Sequence, residues 1–158
     1  MLKNVNIKNK LFKLLICIVV ILNLLLIFKI FNNHNTYLYI NWKILLPEPS
    51  SVNNIYRYDF REGEDFIVWN YNSDKDSLAV TKKLQKMDDI KKVNELLIEY
   101  YSYLDDENKN KFSSNIDFNI ILNDDNYYLY KTENNNRHKL LLIFVPKYSN
   151  LYIFNVVH

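Results

Sequence analysis

The chain reads as an α+β protein, with an N-terminal transmembrane helix followed by a small antiparallel sheet carrying two to three helices on one face. Three observations lead there. Residues 11–31 form a nearly unbroken apolar run. Segments rich in β-branched and aromatic residues, bounded by turn residues, occupy the stretches 54–71 and 118–157. Between them lies a stretch of helical periodicity. Strands, then helices, then strands is the order of a sheet with helices segregated to one side.

The apolar run reads LFKLLICIVVILNLLLIFKIF, interrupted only by Lys13, Asn23 and Lys29. A helix of this length reaches roughly 30 Å, the thickness of the hydrocarbon core of a bilayer. Lys3, Lys8, Lys10 and Lys13 lie at or before its start, and no acidic residue occurs before Glu48. A cleaved signal needs small residues after its apolar core, and Phe28-Lys29-Ile30-Phe31 offers none. Cys17 is flanked by Ile16 and Ile18 inside the run, which is no lipoprotein signal. The alternative, a buried core helix of a soluble protein, would need partners hiding all its faces, because the run is apolar all round and not on one stripe. An uncleaved anchor is the expectation. The interval between Lys13 and Lys29 covers only about 22 Å of helix, so both lysines must run their stems along the helix and keep their ammonium groups at the interface. Asn23 lies mid-span, either tolerated within a strongly apolar helix or bonded to a second helix.

The sequence divides into a basic tail (1–10), the anchor (11–31), a stalk or linker (32–51) and a domain (52–158). Of 20 Lys and Arg, five belong to the tail and anchor, leaving 15 against 18 Asp and Glu, a net charge of −3. The overall +2 therefore joins two unlike parts. The positive-inside rule places the N-terminus in the cytoplasm and the domain outside.

Within the domain, Cys17 being the only cysteine, no internal disulfide and no cysteine metal site is expected. The chain holds 24 Asn and 13 Tyr but one Gly and one Ala, a composition that AT-rich codons favour and that discounts arguments from Asn or Tyr abundance. Residues 37–46 suit either a strand or a continued helix, stopped by Pro47 and Pro49. Residues 54–60 and 65–71 read as a hairpin turning at Gly63, whose freedom at positive φ suits a tight turn. The expected register places Phe60 opposite Asp65, Tyr58 opposite Ile67 and Tyr56 opposite Trp69, with Trp69 in the core.

Ser73 followed by Asp76 starts a helix with Leu78, Leu84 and Met87 as its apolar positions. Asp88-Asp89 starts a second, whose Ile90, Val93, Leu97, Tyr100 and Leu104 recur at three- and four-residue steps. Asp105-Asp106-Glu107 starts a short third, packed through Phe112. Strands are expected at 118–122, 127–132, 139–145 and 151–157, with turns at 123–126 and 146–150. The last two strands are the most apolar and belong at the sheet's centre.

A single glycine excludes the P-loop, the Rossmann fingerprint and the nucleophile elbow, which each need two or more. His34, His138 and His158 show no paired spacing for zinc. Asp59, Glu62, Glu64 and Asp65 with Arg57 and Arg61, and separately Asp124-Asp125, read as solvated turns rather than cation sites. Asp74-Lys75-Asp76 lacks the rest of an EF-hand loop. Tyr127, Tyr128, Tyr130, Tyr148 and Tyr152 are the candidates for a recognition platform on the outer sheet face. The slightly acidic domain has no basic patch for nucleic acid. No catalytic, metal or cofactor residue is nominated, and no cofactor is expected. The expected partners are the lipid bilayer through 11–31 and a membrane-protein or envelope component. The leading expectation is a single-pass membrane protein presenting a non-catalytic binding or accessory domain outside the membrane. The alternatives are an extracytoplasmic hydrolase, which requires convergent carboxylates or His138 in a cleft, and an immunity- or toxin-type factor acting through its helix.

Overall fold

The computed structural model describes residues 12–25, 34–57 and 63–157. The chain forms two compact units, Met1–Leu45 and Leu46–His158. This division falls a few residues before the expected domain start at 52.

In the first unit, residues 12–25 form helix α1, with every side chain exposed. Its large apolar residues range from 47% exposed at Ile16 to 65% at Phe12. Asn23 donates from Nδ2 to the carbonyl of Val19 at 2.7 Å, so part of its amide's bonding is met within its own helix. Among the described residues no helix is long and apolar enough to cross a membrane. The stretch 26–31 of the expected span lies outside them. Helix α2 (His34–Trp42) takes in residues read as stalk and makes 37–42 of the stretch left open helical, while 43–46 are neither helix nor strand. Lys43 ends α2 in the left-handed conformation (φ 54°). Its backbone N–H still bonds Tyr39 O at 3.0 Å, and its Nζ donates to Ile40 O at 2.9 Å. A lysine at this end answers both the orphan carbonyls and the negative pole of the helix.

The second unit is α+β. Its elements are β1 (Ser51–Tyr56), β2 (Gly63–Asn70), α3 (Asp74–Thr81), β3 (Gln85–Lys86), α4 (Ile90–Tyr103), α5 (Asp106–Asn115), α6 (Phe118–Ile121), β4 (Tyr127–Glu133), β5 (His138–Val145) and β6 (Asn150–Val157). The strands make one antiparallel sheet in the order β1-β2-β6-β5-β4-β3. The two most apolar strands, β5 and β6, are central as expected.

The helix starts follow their side-chain caps. Ser73 accepts from Asp76 N, Asp89 from Lys92 N, and Asp105 from Asn108 N. Each oxygen satisfies one backbone donor that the first helical turn leaves without a partner. Val93, Leu97 and Tyr100 of α4 are buried, as their spacing foretells, with Leu104 just beyond and Phe112 from α5. They pack on Phe66, Val68, Leu141, Ile143, Val145, Phe154 and Val156 from one face of the sheet. Phe66 stacks on Phe154 at 4.8 Å, and the Tyr100 hydroxyl donates to the buried carbonyl of Asp65 at 2.7 Å. Burial holds the Tyr100 phenol well above its ordinary pKa, with the neighbouring Tyr56 and the Asp65 and Glu64 charges adding to it.

Several expectations are corrected. The hairpin register is four residues away: Val52 faces Trp69 and Asn54 faces Ile67, and a bulge then brings Tyr56 opposite Phe66. Gly63 does adopt positive φ (148°), but it opens β2 opposite Val157 instead of sitting within the turn expected at 61–64. The connection from Tyr56 to Gly63 is thus too long to dictate register. The stretch 58–62, with Tyr58 and Phe60, lies outside the described residues. Trp69 is buried, as expected.

Helix α3 stops at Thr81, whose hydroxyl turns back to Leu78 O at 2.8 Å. Val80 is its buried residue and Leu78 is exposed. Leu84 and Met87 reach the interior from beyond the helix, Met87 through a backbone bond to Asn126 O at 2.9 Å. The strand expected at 118–122 is the one-turn helix α6. Asp117 caps it by accepting from Asn119 N at 2.9 Å, a local bond that outweighs the β propensity of four residues. Finally, the sheet is apolar on both faces: Ile67, Trp69, Leu140, Leu142, Phe144, Leu151 and Ile153 are buried on the side opposite α4.

Candidate functional site

Two places on the second unit bring polar side chains together. The first joins α4 to the start of β5. Lys139 shares the sheet face of Leu141 and Ile143, so its stem runs over the core while its ammonium emerges at the edge. There it donates to Glu99 Oε1 at 2.5 Å and to the Tyr103 hydroxyl at 2.7 Å. Tyr103 donates in turn to Glu99 Oε1 at 3.0 Å. Glu99 and Tyr103 stand one helical turn apart and therefore face the same way. The bond from Lys139 holds the Glu99 carboxyl below its ordinary range, against the opposing effect of burial. Burial alone works to neutralise Lys139, but its bonds to Glu99 and Tyr103 outweigh it and keep the ammonium charged beyond the ordinary lysine range. Burial, with the Glu99 charge after it, raises the neighbouring Tyr130 phenol. Only about 10 Å³ stays open beside this cluster, room for about one water. Its geometry is that of a tie between helix and sheet, with the charges satisfying each other.

The second place is a depression of about 170 Å³ where the α6–β4 connection meets the β5–β6 turn. Ile120, Val145, Pro146 and the ring of Tyr148 supply its apolar lining; Asn119, Asn123, Asp125, Asn126 and Lys147 supply its polar lining. Both walls are held locally. Asn126 is buried and donates from Nδ2 to Ile120 O and Ile121 O at 2.8 and 2.9 Å. Asn123 Oδ1 accepts from Asp125 N at 2.9 Å, and Asp125 pairs with Lys86 at 3.4 Å. On the other wall Ser149, left-handed at φ 52°, closes the turn with its N–H on Pro146 O at 3.0 Å. Tyr148 is left 46% exposed.

The residues singled out from the sequence fall elsewhere or apart. Asp59, Arg61, Glu62 and His158 lie outside the described residues. Asp65 is no solvated turn residue: it is buried in β2 and accepts from Asn155 Nδ2 at 3.1 Å. Asp124-Asp125 does form the expected turn. His34 opens α2, and His138 opens β5 with Nε2 3.0 Å from Asn134 Nδ2. Among the described residues no three His, Cys, Asp or Glu side chains gather where they would hold a metal ion. The tyrosine platform does not form. Tyr128 is buried and Tyr130 and Tyr152 are partly buried against the α4 core, because they occupy the helix-covered face and not the outer one. Of that set Tyr148 is exposed, in the depression.

Lys139 had a sequence signal: a lysine in register with core residues at a strand end requires a counter-charge. The depression had none, because it depends on two turns at opposite ends of the β4–β5 hairpin segment of sequence coming together.

The fold and site define an antiparallel α+β domain with a shallow depression of mixed apolar and polar lining. Comparison with protein-family models, curated proteins and solved structures finds no match for this chain.

Proposed function

We propose that the chain is a single-pass membrane protein whose residues 11–31 anchor it with the N-terminus inside, presenting the α+β unit outside the membrane as a non-catalytic binding module. The observation that carries this reading is α1. Its fourteen residues 12–25 are apolar apart from Lys13 and Asn23, and every one is exposed. Exposed apolar area on this scale marks a surface made for lipid or for another apolar partner. Apolar sequence continues through Ile27, Phe28, Ile30 and Phe31, and the basic residues collect on the N-terminal flank. Asn23 donating one N–H back to Val19 O supports the anchor reading over an intramembrane effector, since part of the amide's bonding is met inside its own helix. The binding role is supported by the depression at Tyr148, together with the mutually satisfied charges of the Glu99–Lys139 pair.

A pair of reporters fused after His158, one active only in the cytoplasm and one only outside it, tests the reading. Activity of the external reporter and silence of the cytoplasmic one are expected. The reverse pattern overturns it.

A further inference from the structure

We propose that the depression between the α6–β4 connection and the β5–β6 turn is a subsite for one neutral pyranose ring. This deepens the binding-module reading and rests on it. Size comes first: about 170 Å³ is well below the roughly 300–1,000 Å³ that encloses a drug-sized ligand, which limits the occupant to about one ring. Charge comes second. Lys147 and Asp125 contribute one charge of each sign, and Asp125 already pairs with Lys86. That leaves one cation, Lys147, whose ammonium lies 5.1 Å from the Tyr148 ring centroid; a lone lysine falls short of the several donors a phosphate site gathers, and no anion is left over for an amine.

Chemistry comes third. A pyranose has an apolar face of C–H groups and an equator of hydroxyls that both donate and accept. The Tyr148 ring suits the first, and primary amides, which also donate and accept, suit the second. Asn123 presents its NH2 group, because its Oδ1 is held by Asp125 N. Asn119 adds a second amide from the exposed end of α6. The Asn123 amide is fixed by its bond from the Asp125 backbone, so little side-chain freedom is lost when a ring docks, while Asn126, buried with its Nδ2 on Ile120 O and Ile121 O, shapes the wall behind it. The source of the ring is a free glycan end or the headgroup of a glycolipid.

The test uses the full chain in lipid nanodiscs, avoiding sugar-headed detergents, with a protein-observed NMR titration of the Asn123 side-chain amide signal. The probes are N-acetylglucosamine in solution and, separately, a monoglucosyl diacylglycerol added to the nanodisc. A one-ring ligand is expected in the millimolar range. The shift of that signal should saturate, and Tyr148→Ala should weaken binding about tenfold or more. Tyr148 is exposed, so that variant keeps the fold. Response to the soluble sugar assigns the site to a glycan end, and response to the lipid alone assigns it to a headgroup. No response from either, a response unmoved by Tyr148→Ala, or an equal response to inorganic sulfate overturns the proposal. The reporters on His158 read topology independently: an external C-terminus without sugar binding contradicts the ligand alone, and a cytoplasmic C-terminus contradicts the proposed address.

Discussion

Helix α5 hangs on one side chain. Phe112 is its only buried residue, and the remainder of DENKNKFSSN is polar. Five rings surround it, those of Phe66, Tyr100, Tyr101, Phe118 and Phe154, at centroid distances from 5.4 to 6.2 Å. Truncating a buried Phe to Ala costs about 3–5 kcal/mol, more where the surroundings cannot collapse. Rings supplied by four other elements, β2, α4, α6 and β6, relax little, which puts Phe112→Ala near the upper end, about 4–5 kcal/mol. A domain of this size has a total stability of roughly 5–15 kcal/mol, so the variant folds but is strongly weakened. Phe112→Leu, which leaves a smaller void, should cost about 1–2 kcal/mol. Urea unfolding of the full chain, followed through the fluorescence of buried Trp69, reads the loss. Hydrogen exchange reads its location: the amides of α5 should lose protection first, because Phe112 is the one buried residue within that helix. A loss under about 1 kcal/mol for Phe112→Ala, with α5 still protected, would refute the picture of α5 as a helix held by one residue.

Two further perturbations probe separate features. The Glu99–Lys139 pair should show a coupling of about 1 kcal/mol in a double-mutant cycle of Glu99→Gln and Lys139→Met, the upper end for pairs that still touch water. Because Glu99 titrates lower when folded, its contribution is present above the ordinary carboxylate range and is lost as pH falls through the depressed value. Lys139 titrates higher when folded, so its share persists through the ordinary lysine range and is lost only as pH rises beyond it. Unfolding free energies of wild type and Glu99→Gln should therefore converge in acid; a constant gap between them contradicts the assignment. In the β4–β5 turn, Asn134, Asn135 and Asn136 are all left-handed, with φ 53°, 56° and 67°. Asn135→Gly should be neutral or stabilise by up to about 1 kcal/mol, whereas Asn135→Val should cost about 1–2 kcal/mol by thermal unfolding. Equal stability of the two variants would show that the turn does not hold that backbone.

What the sequence disclosed, and what it hid, divides along the range of the interactions involved. Caps at Ser73, Asp89 and Asp105 are decided within three residues, and each was readable. The same holds for the periodic face of α4 and for the central place of β5 and β6, whose apolar runs are continuous. The β1–β2 register was hidden because β2 is buried on both faces and no short turn ties it to β1; alternation carries no information when both sides are apolar. That same two-sided burial removed the expected tyrosine platform, since the side taken as outer is lined by Leu142, Phe144 and Ile153. The stretch 118–122 was read as a strand, but so short a segment carries little period information, and the Asp117 cap turns it into helix. The Glu99–Lys139 tie was half legible, from the in-register lysine, but its partner lay forty residues away.

The central claim is that the α+β unit stands outside a membrane crossed by residues 11–31. Protease protection on sealed, right-side-out vesicles tests it most directly, with cleavage of an epitope tag placed after His158 as the readout. Digestion of that tag without detergent, while a tag before Met1 stays intact, is the expected result. A C-terminal tag that survives until the vesicles are opened, or a chain washed off the membrane by alkaline carbonate, contradicts it.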